Sequence, residues 1–256
     1  MSLLERIAQR APPEAGCVSL PDILAETALM SLNSARSGRP RPRIDRHFAQ
    51  TLLSDNPTEA EIFAGQMLER GVSVEALVTV HIPAVARHLG TRWEDDTLDF
   101  ATMTKAFSSL LRIAQDLGWH TPVAAGVSGR RPRALLVRTA DEQHFLGLLV
   151  AAYQLRAAGW LVRLNLTPER DALETILDTE AFEMIGFSFG HARAADPIAA
   201  AIARARPLAG AARLALGGSE VGRRPDLAAG LGADLVLDPA EDLIPRLAPG
   251  SLRLVP

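Results

Sequence analysis

Three short segments in the second half of the chain carry side chains whose types and order could do chemistry together. They are Asp141-Glu142-Gln143-His144-Phe145-Leu146-Gly147, Ser188-Phe189-Gly190 and Gly217-Gly218. An imidazole on a loop can bind a transition metal through one ring nitrogen, while a carboxylate two residues away, here Glu142, holds the other N–H and raises the ligand's basicity. Gly147 would let a bulky group approach the first turn of a following helix. Ser188 offers a short hydroxyl to a buried heteroatom, and Gly217-Gly218 leaves backbone exposed where a side chain would block a long ligand tail. Each piece alone is commonplace, since a lone His near a helix start is usually a cap or a core residue and Gly-Gly is usually a turn. Their force lies in where the chain would place them.

From residue 133 onward, short apolar runs at 134–137, 161–166, 184–188, 213–216 and 235–237 alternate with helical sequence, the first helix falling at about 145–158. This pattern predicts a flavodoxin-like (Rossmann-type) α/β domain over 133–256, a five-stranded parallel sheet covered on both faces. Ligands of such sheets bind outside the carboxyl ends of the strands, at the switch in strand order. All three segments follow a strand and fall on that edge.

Residues 43–118 read instead as a four-helix bundle. Ile44, Phe48, Leu52 and Leu53 repeat at helical spacing, and Asn56-Pro57 predicts an N-cap and first helical residue ahead of Glu59 and Glu61. Gly71 and Ser73 would end that helix and start a third, which carries Leu77, Val80, Ala84, Val85 and Leu89 and which Pro83 would kink. A fourth is expected over about 98–117. Residues 1–42, rich in Pro and Ser, read as a loosely structured N-terminal extension, and 119–132 as a linker.

With 27 Lys+Arg against 30 Asp+Glu, the overall field points to neither a nucleic-acid nor a membrane partner. Cys17 is the sole cysteine, which excludes an internal disulfide framework and a Cys-based zinc site within one chain. No apolar run approaches the roughly 18 residues of a membrane span, and residues 1–10 read as an amphipathic opening rather than a signal peptide. A cytoplasmic protein is the expectation.

The three segments resemble the cobalamin-binding domains of the methionine synthase and methylmalonyl-CoA mutase type, which carry Asp-x-His-x-x-Gly, Ser-x-Leu and Gly-Gly in that order. Here Glu142-x-His144-x-x-Gly147 replaces Asp by Glu, Ser188-x-Gly190 replaces Leu by Gly, and Gly217-Gly218 matches outright. The resemblance implies that His144 is the lower axial ligand of cobalt, displacing the cofactor's dimethylbenzimidazole into a slot beside Ser188 and the two glycines. Gln143, Phe145 and Phe189 lie within the same motifs. Gly190 removes an apolar wall of that slot.

The helical half is similar to the cap of cobalamin-dependent transcriptional photoreceptors. The carrying residues are Leu89-Gly90-Thr91-Arg92-Trp93 and, further on, Phe100-Ala101-Thr102-Met103-Thr104. That likeness implies that Trp93 covers the upper face of the corrin, with Phe100 and Met103 completing a dry lid; a bundle-end core residue is the plainer reading of Trp93. CarH photoreceptors have Glu-His where this chain has Met103-Thr104, so the resemblance does not carry over their histidine switch. The upper ligand is left open among water, hydroxide, an adenosyl group and an imidazole such as His81 or His88. CarH-type regulators place a winged-helix domain before the bundle, where this sequence has residues 1–42. A bundle and cobalamin domain over 43–256 without such a reader most resembles the PpaA/AerR family of photosynthesis regulators in purple bacteria. Its members are antirepressors that bind a transcriptional repressor, modulate it according to cobalamin and light, and are not enzymes. Homo-oligomerisation stays open. A corrinoid carrier for a methyltransferase, a heme-binding sensor of the same architecture and an interaction scaffold are the alternatives.

Overall fold

The structure is a computed structural model that describes residues 43–56, 58–119, 131–139, 146–166 and 170–237. The described residues fall into two compact units, one within 43–119 and one within 131–237.

The first unit is helical. α1 (Arg43–Leu53) packs on α2 (Glu59–Glu69) and on two later helices, α4 (Ile82–Glu94) and α5 (Phe100–Trp119). Phe48, Leu52, Phe63, Met67, Val85, Leu89, Leu110 and Ile113 are buried among them. Helix ends follow local chemistry. Asn56 does not cap α2 directly: its Oδ1 accepts from both the backbone N–H and the hydroxyl of Thr58, forming a turn one residue ahead of the helix, with Thr58 at the N-cap. Gly71, at φ +97, ends α2 with the Val72 N–H returned to the Met67 carbonyl and the Gly71 N–H to that of Leu68. Ser73 then caps α3 (Val74–Ala76) by accepting from the Ala76 N–H at 3.0 Å.

The effect of Pro83 differs from a simple kink. α3 runs into a π-turn (Leu77–His81) before α4, and the Ile82 N–H donates to Leu77, five residues back. Proline supplies no N–H for the turn it follows, so the helix absorbs the lost bond by widening one turn upstream.

The second unit is a five-stranded, all-parallel sheet in the order β2-β1-β3-β4-β5. The strands are β1 (Arg133–Val137), β2 (Leu161–Asn165), β3 (Met184–Ser188), β4 (Arg213–Gly217) and β5 (Leu235–Leu237). α6 (Leu146–Ala157), α7 (Arg170–Thr179), α8 (Ala195–Ala205), α9 (Ser219–Arg223) and α10 (Pro225–Gly230) connect them. This is the doubly wound fold that the alternating pattern predicts. Two apolar clusters lie on opposite faces. Leu135, Val137, Ile185, Phe187, Leu214 and Leu216 pack with α7 and α8, whereas Ala134, Leu136, Met184 and Ala215 pack with α6 and the fully buried Trp160.

Asp234 ties the entry of β5 to β4. Its carboxylate accepts from the Leu214 N–H at 2.7 Å and from Arg206 at 2.6 Å, and its own N–H donates to the Leu214 carbonyl. Burial alone would raise this carboxyl's pKa, but the Leu214 N–H and the charges of Arg206 and Arg213 outweigh it and hold it below the ordinary carboxylate value. A depressed folded-state pKa adds stability above the unfolded value of about 3.9, and that increment is lost as the pH falls through the folded value. Asp234→Asn should therefore lower the melting temperature at pH 7, and the deficit relative to wild type should shrink below about pH 4; thermal melts at both pH values check this.

Candidate ligand-binding site

β1 hands the chain to β2 on one side, and β3 returns on the other side of β1. The helices that follow β1 and β3, α6 and α8, accordingly lie on opposite faces of the sheet, and ligands of such folds bind at the carboxyl ends of the two strands that flank the switch. The segment bearing Glu142, Gln143, His144 and Phe145 leaves the end of β1 and enters α6 at Leu146; those four residues lie outside the described residues. Its two flanks are described. Gly147 is exposed in the first turn of α6, and a Cβ added there would meet nothing within 4 Å. On the other flank Thr139 is only 6% exposed, and its hydroxyl oxygen is buried without a hydrogen-bond partner.

Ser188 ends β3 level with Gly217 of β4. Strand alternation puts Ser188 on the α6 face with Met184 and Gly186, and Gly217 on the same face with Ala215. The α6 face of the two strands thus carries small residues at its carboxyl end. At Gly186 the vacancy is already taken, since an added Cβ would lie 2.8 Å from Leu136 Cδ2. At Gly217 it is not, the nearest atom being the Leu237 carbonyl oxygen at 3.7 Å. A methyl at Gly217 would thus make only ordinary contacts with Leu237, whereas one at Gly186 would collide with Leu136.

Gly218 and Phe189 also have structural parts. Gly218, partly exposed, packs one side of its backbone on the end of β3. It adopts φ +134, and a Cβ there would fall 2.3 Å from the Phe189 carbonyl oxygen, so glycine is required by backbone packed on backbone. The Phe189 ring is fully buried in the cluster beneath α8, which leaves only its main chain at the carboxyl edge of the sheet. That main chain is clamped: the Phe189 N–H donates to the Gly217 carbonyl at 2.7 Å, and its carbonyl accepts from Glu220 at 3.1 Å. Gly190 is held by its carbonyl, which accepts from the Ser219 hydroxyl at 3.1 Å. Glu220, buried at the start of α9, pairs with Arg223 and Arg224.

In the helical unit, Trp93 is not a core residue. It is 41% exposed and Phe100 is 74% exposed, with their ring centroids 6.1 Å apart. Both sit at fixed helix ends. The Asp96 N–H donates to the Trp93 carbonyl and the Thr97 N–H to that of Arg92, closing α4 with Asp96 at φ +52 where glycine is usual. Asp99 caps α5 by accepting from the Thr102 N–H at 2.9 Å and from its hydroxyl at 2.6 Å; the Thr102 hydroxyl contributes most to holding its carboxyl below the usual range. Met103 is partly buried and Thr104 exposed, the Thr104 hydroxyl donating to the Phe100 carbonyl. His81 and His88 are both partly buried. Sequence reasoning overlooked Thr139, because a threonine ending an apolar strand carries no signal until burial and hydrogen bonding are known.

This sheet, with its flanking helices, is the Rossmann-like fold of cobalamin-binding proteins. It superposes on the monomethylamine corrinoid protein of Methanosarcina barkeri with a TM-score of 0.61 at 15% identity, covering 77% of this chain and 93% of that one. A novel cobalamin-binding protein from Desulfitobacterium hafniense matches over the same shares at 14% identity, with a TM-score of 0.37. No family model matches the chain. An uncharacterized 20.5 kDa protein in the bchF-crtJ intergenic region of Rhodobacter capsulatus is 34% identical over 168 residues, which span 64% of this chain and 86% of that protein. The chain belongs to that protein's family.

The two glycines make a direct contrast. Gly218→Ala should destabilise the α/β unit by about 3 kcal/mol or more, through strain and backbone collision. Gly217→Ala should leave the melting temperature nearly unchanged, because its new methyl meets only ordinary contacts. Thermal melts of the two variants check this ordering.

Proposed function

We propose that the protein binds cobalamin at the β1/β3 crevice and acts as a light-responsive regulator, not an enzyme, through contact with a transcriptional repressor of photosynthesis genes. The observation that carries the ligand assignment is the all-parallel sheet in the order β2-β1-β3-β4-β5, whose fold is that of cobalamin-binding proteins, with Ser188 and Gly217 level at the carboxyl ends of β3 and β4. The relative's place in the bchF-crtJ intergenic region accords with photosynthesis-gene regulation.

In this reading His144 is the lower axial ligand of cobalt and Glu142 the acceptor that orients its imidazole. Ser188, Gly217 and the main chain at Phe189 and Gly190 border the slot for the displaced nucleotide tail, and Gly147 leaves the start of α6 open. Bound cobalamin supplies a visible chromophore and a cobalt whose upper position can exchange. Trp93 and Phe100, with Met103, cover the upper face. Because these side chains pack differently against different upper ligands, the ligand state biases the surface that the bundle offers to a partner.

The test is spectroscopic and then functional. Protein purified with cobalamin in the dark should show corrin bands of the histidine-ligated form and no Soret band, the latter being the mark of a heme sensor. His144→Ala should lose the histidine-ligated spectrum and bind cobalamin at least tenfold more weakly; an unchanged spectrum rules out the ligand assignment. Affinity for the repressor, measured before and after illumination, should differ. Equal values reject the light switch.

A further inference from the structure

We propose that Thr139 is a binding residue of the crevice, its buried hydroxyl donating a hydrogen bond to an acceptor oxygen of the bound corrinoid; this rests on the cobalamin reading above. Among the described residues, three buried side-chain polar atoms have no hydrogen-bond partner: Thr139 Oγ1, Glu174 Oε2 and Arg204 Nε. The last two belong to a single ion pair, in which Arg204 Nε lies 3.1 Å from Glu174 Oε1, so each side chain has an electrostatic partner. Thr139 has no such compensation.

A buried hydroxyl without a partner is costly, and native proteins rarely keep one unless something else satisfies it. Valine would fill nearly the same volume without that cost, so packing does not account for the threonine. Its position points to what does. The Arg138 N–H makes the last ladder bond of β1, to the Asn165 carbonyl at 2.9 Å, and Thr139 follows where the chain leaves the sheet at the switch point. The hydroxyl is therefore already stripped of water two residues past the end of β1, the strand that borders the switch point. A corrinoid offers two kinds of acceptor oxygen there, the carboxamides of its rim and the phosphate of its nucleotide tail.

The assignment makes an uncommon pair of predictions for Thr139→Val in the full chain. The ligand-free variant should be at least as stable as wild type, because an unsatisfied hydroxyl has been removed. Its affinity for hydroxocobalamin should fall by about tenfold, the cost of one buried hydrogen bond, while Thr139→Ser should bind within about threefold of wild type. Dicyanocobinamide keeps the rim amides and lacks the nucleotide tail. A deficit of Thr139→Val toward both ligands supports a contact to the rim, and a deficit toward hydroxocobalamin alone supports a contact to the tail. Equal affinities of Thr139→Val and wild type overturn the proposal and leave the cobalamin reading standing. A ligand-free variant that melts well below wild type also overturns it, since the hydroxyl would then have been satisfied before any ligand arrived. A wild-type chain that binds neither corrinoid removes the functional reading and this assignment together.

Discussion

The end of β4 turns directly against the backbone that ends β3, and the absence of one Cβ at Gly218 permits it. With Phe189 oxygen where that Cβ would stand, the two turns share a single surface. Hydrogen bonds on either side of Phe189 lock it, and its ring, sunk beneath α8, anchors it from below. Ser188 is thereby fixed level with Gly217, so the second and third motif segments behave as one rigid piece. Rigidity matters because a site built on strand ends holds its geometry before a ligand arrives, and less ordering cost is charged to binding.

The asymmetry of the sheet adds to this constraint. On the α7 and α8 face, β3 and β4 present Ile185, Phe187, Leu214 and Leu216, which fill the layer completely. On the α6 face the same strands present Met184, Gly186 and Ser188, then Ala215 and Gly217. Leu136 closes the gap at Gly186, and only at Gly217, at the carboxyl edge, would an added methyl meet no close contact. One face is thus filled by large side chains while the other carries small ones toward its carboxyl edge.

The alternating apolar runs were enough to read the parallel sheet, because strands buried on both faces must be apolar throughout. Met184–Ser188 and Leu235–Leu237 are legible to the residue, whereas β4 extends one residue further, to Gly217, since backbone pairing continues where hydrophobicity stops. The site is less legible for the same reason. Ser188 and Gly217 are visible as types at the right place, but the division of labour between Gly217 and Gly218 depends on a distance to another strand's backbone. Phe189 lies within a ligand motif in sequence, and its ring is core in space. The π-turn before Pro83 is likewise hidden: sequence shows the missing donor, but not which upstream turn yields.

Trp93 and Phe100 pose a physical question that the fold of the bundle alone does not answer. Exposing apolar rings to water is unfavourable, yet these two stand on helix ends that are closed independently, one by the Asp96 turn and the other by the Asp99 cap. Asp96 accepts a left-handed backbone to close α4, a conformation less favourable for aspartate than for glycine. A helix end closed in this way fixes the backbone that carries the indole, so little backbone entropy is left to lose when the ring is covered. Covering it would recover apolar area at about 25 cal/mol per Å². The gain depends on the shape of what covers it, and that dependence is the requirement for a surface that reports the state of a ligand rather than its presence alone.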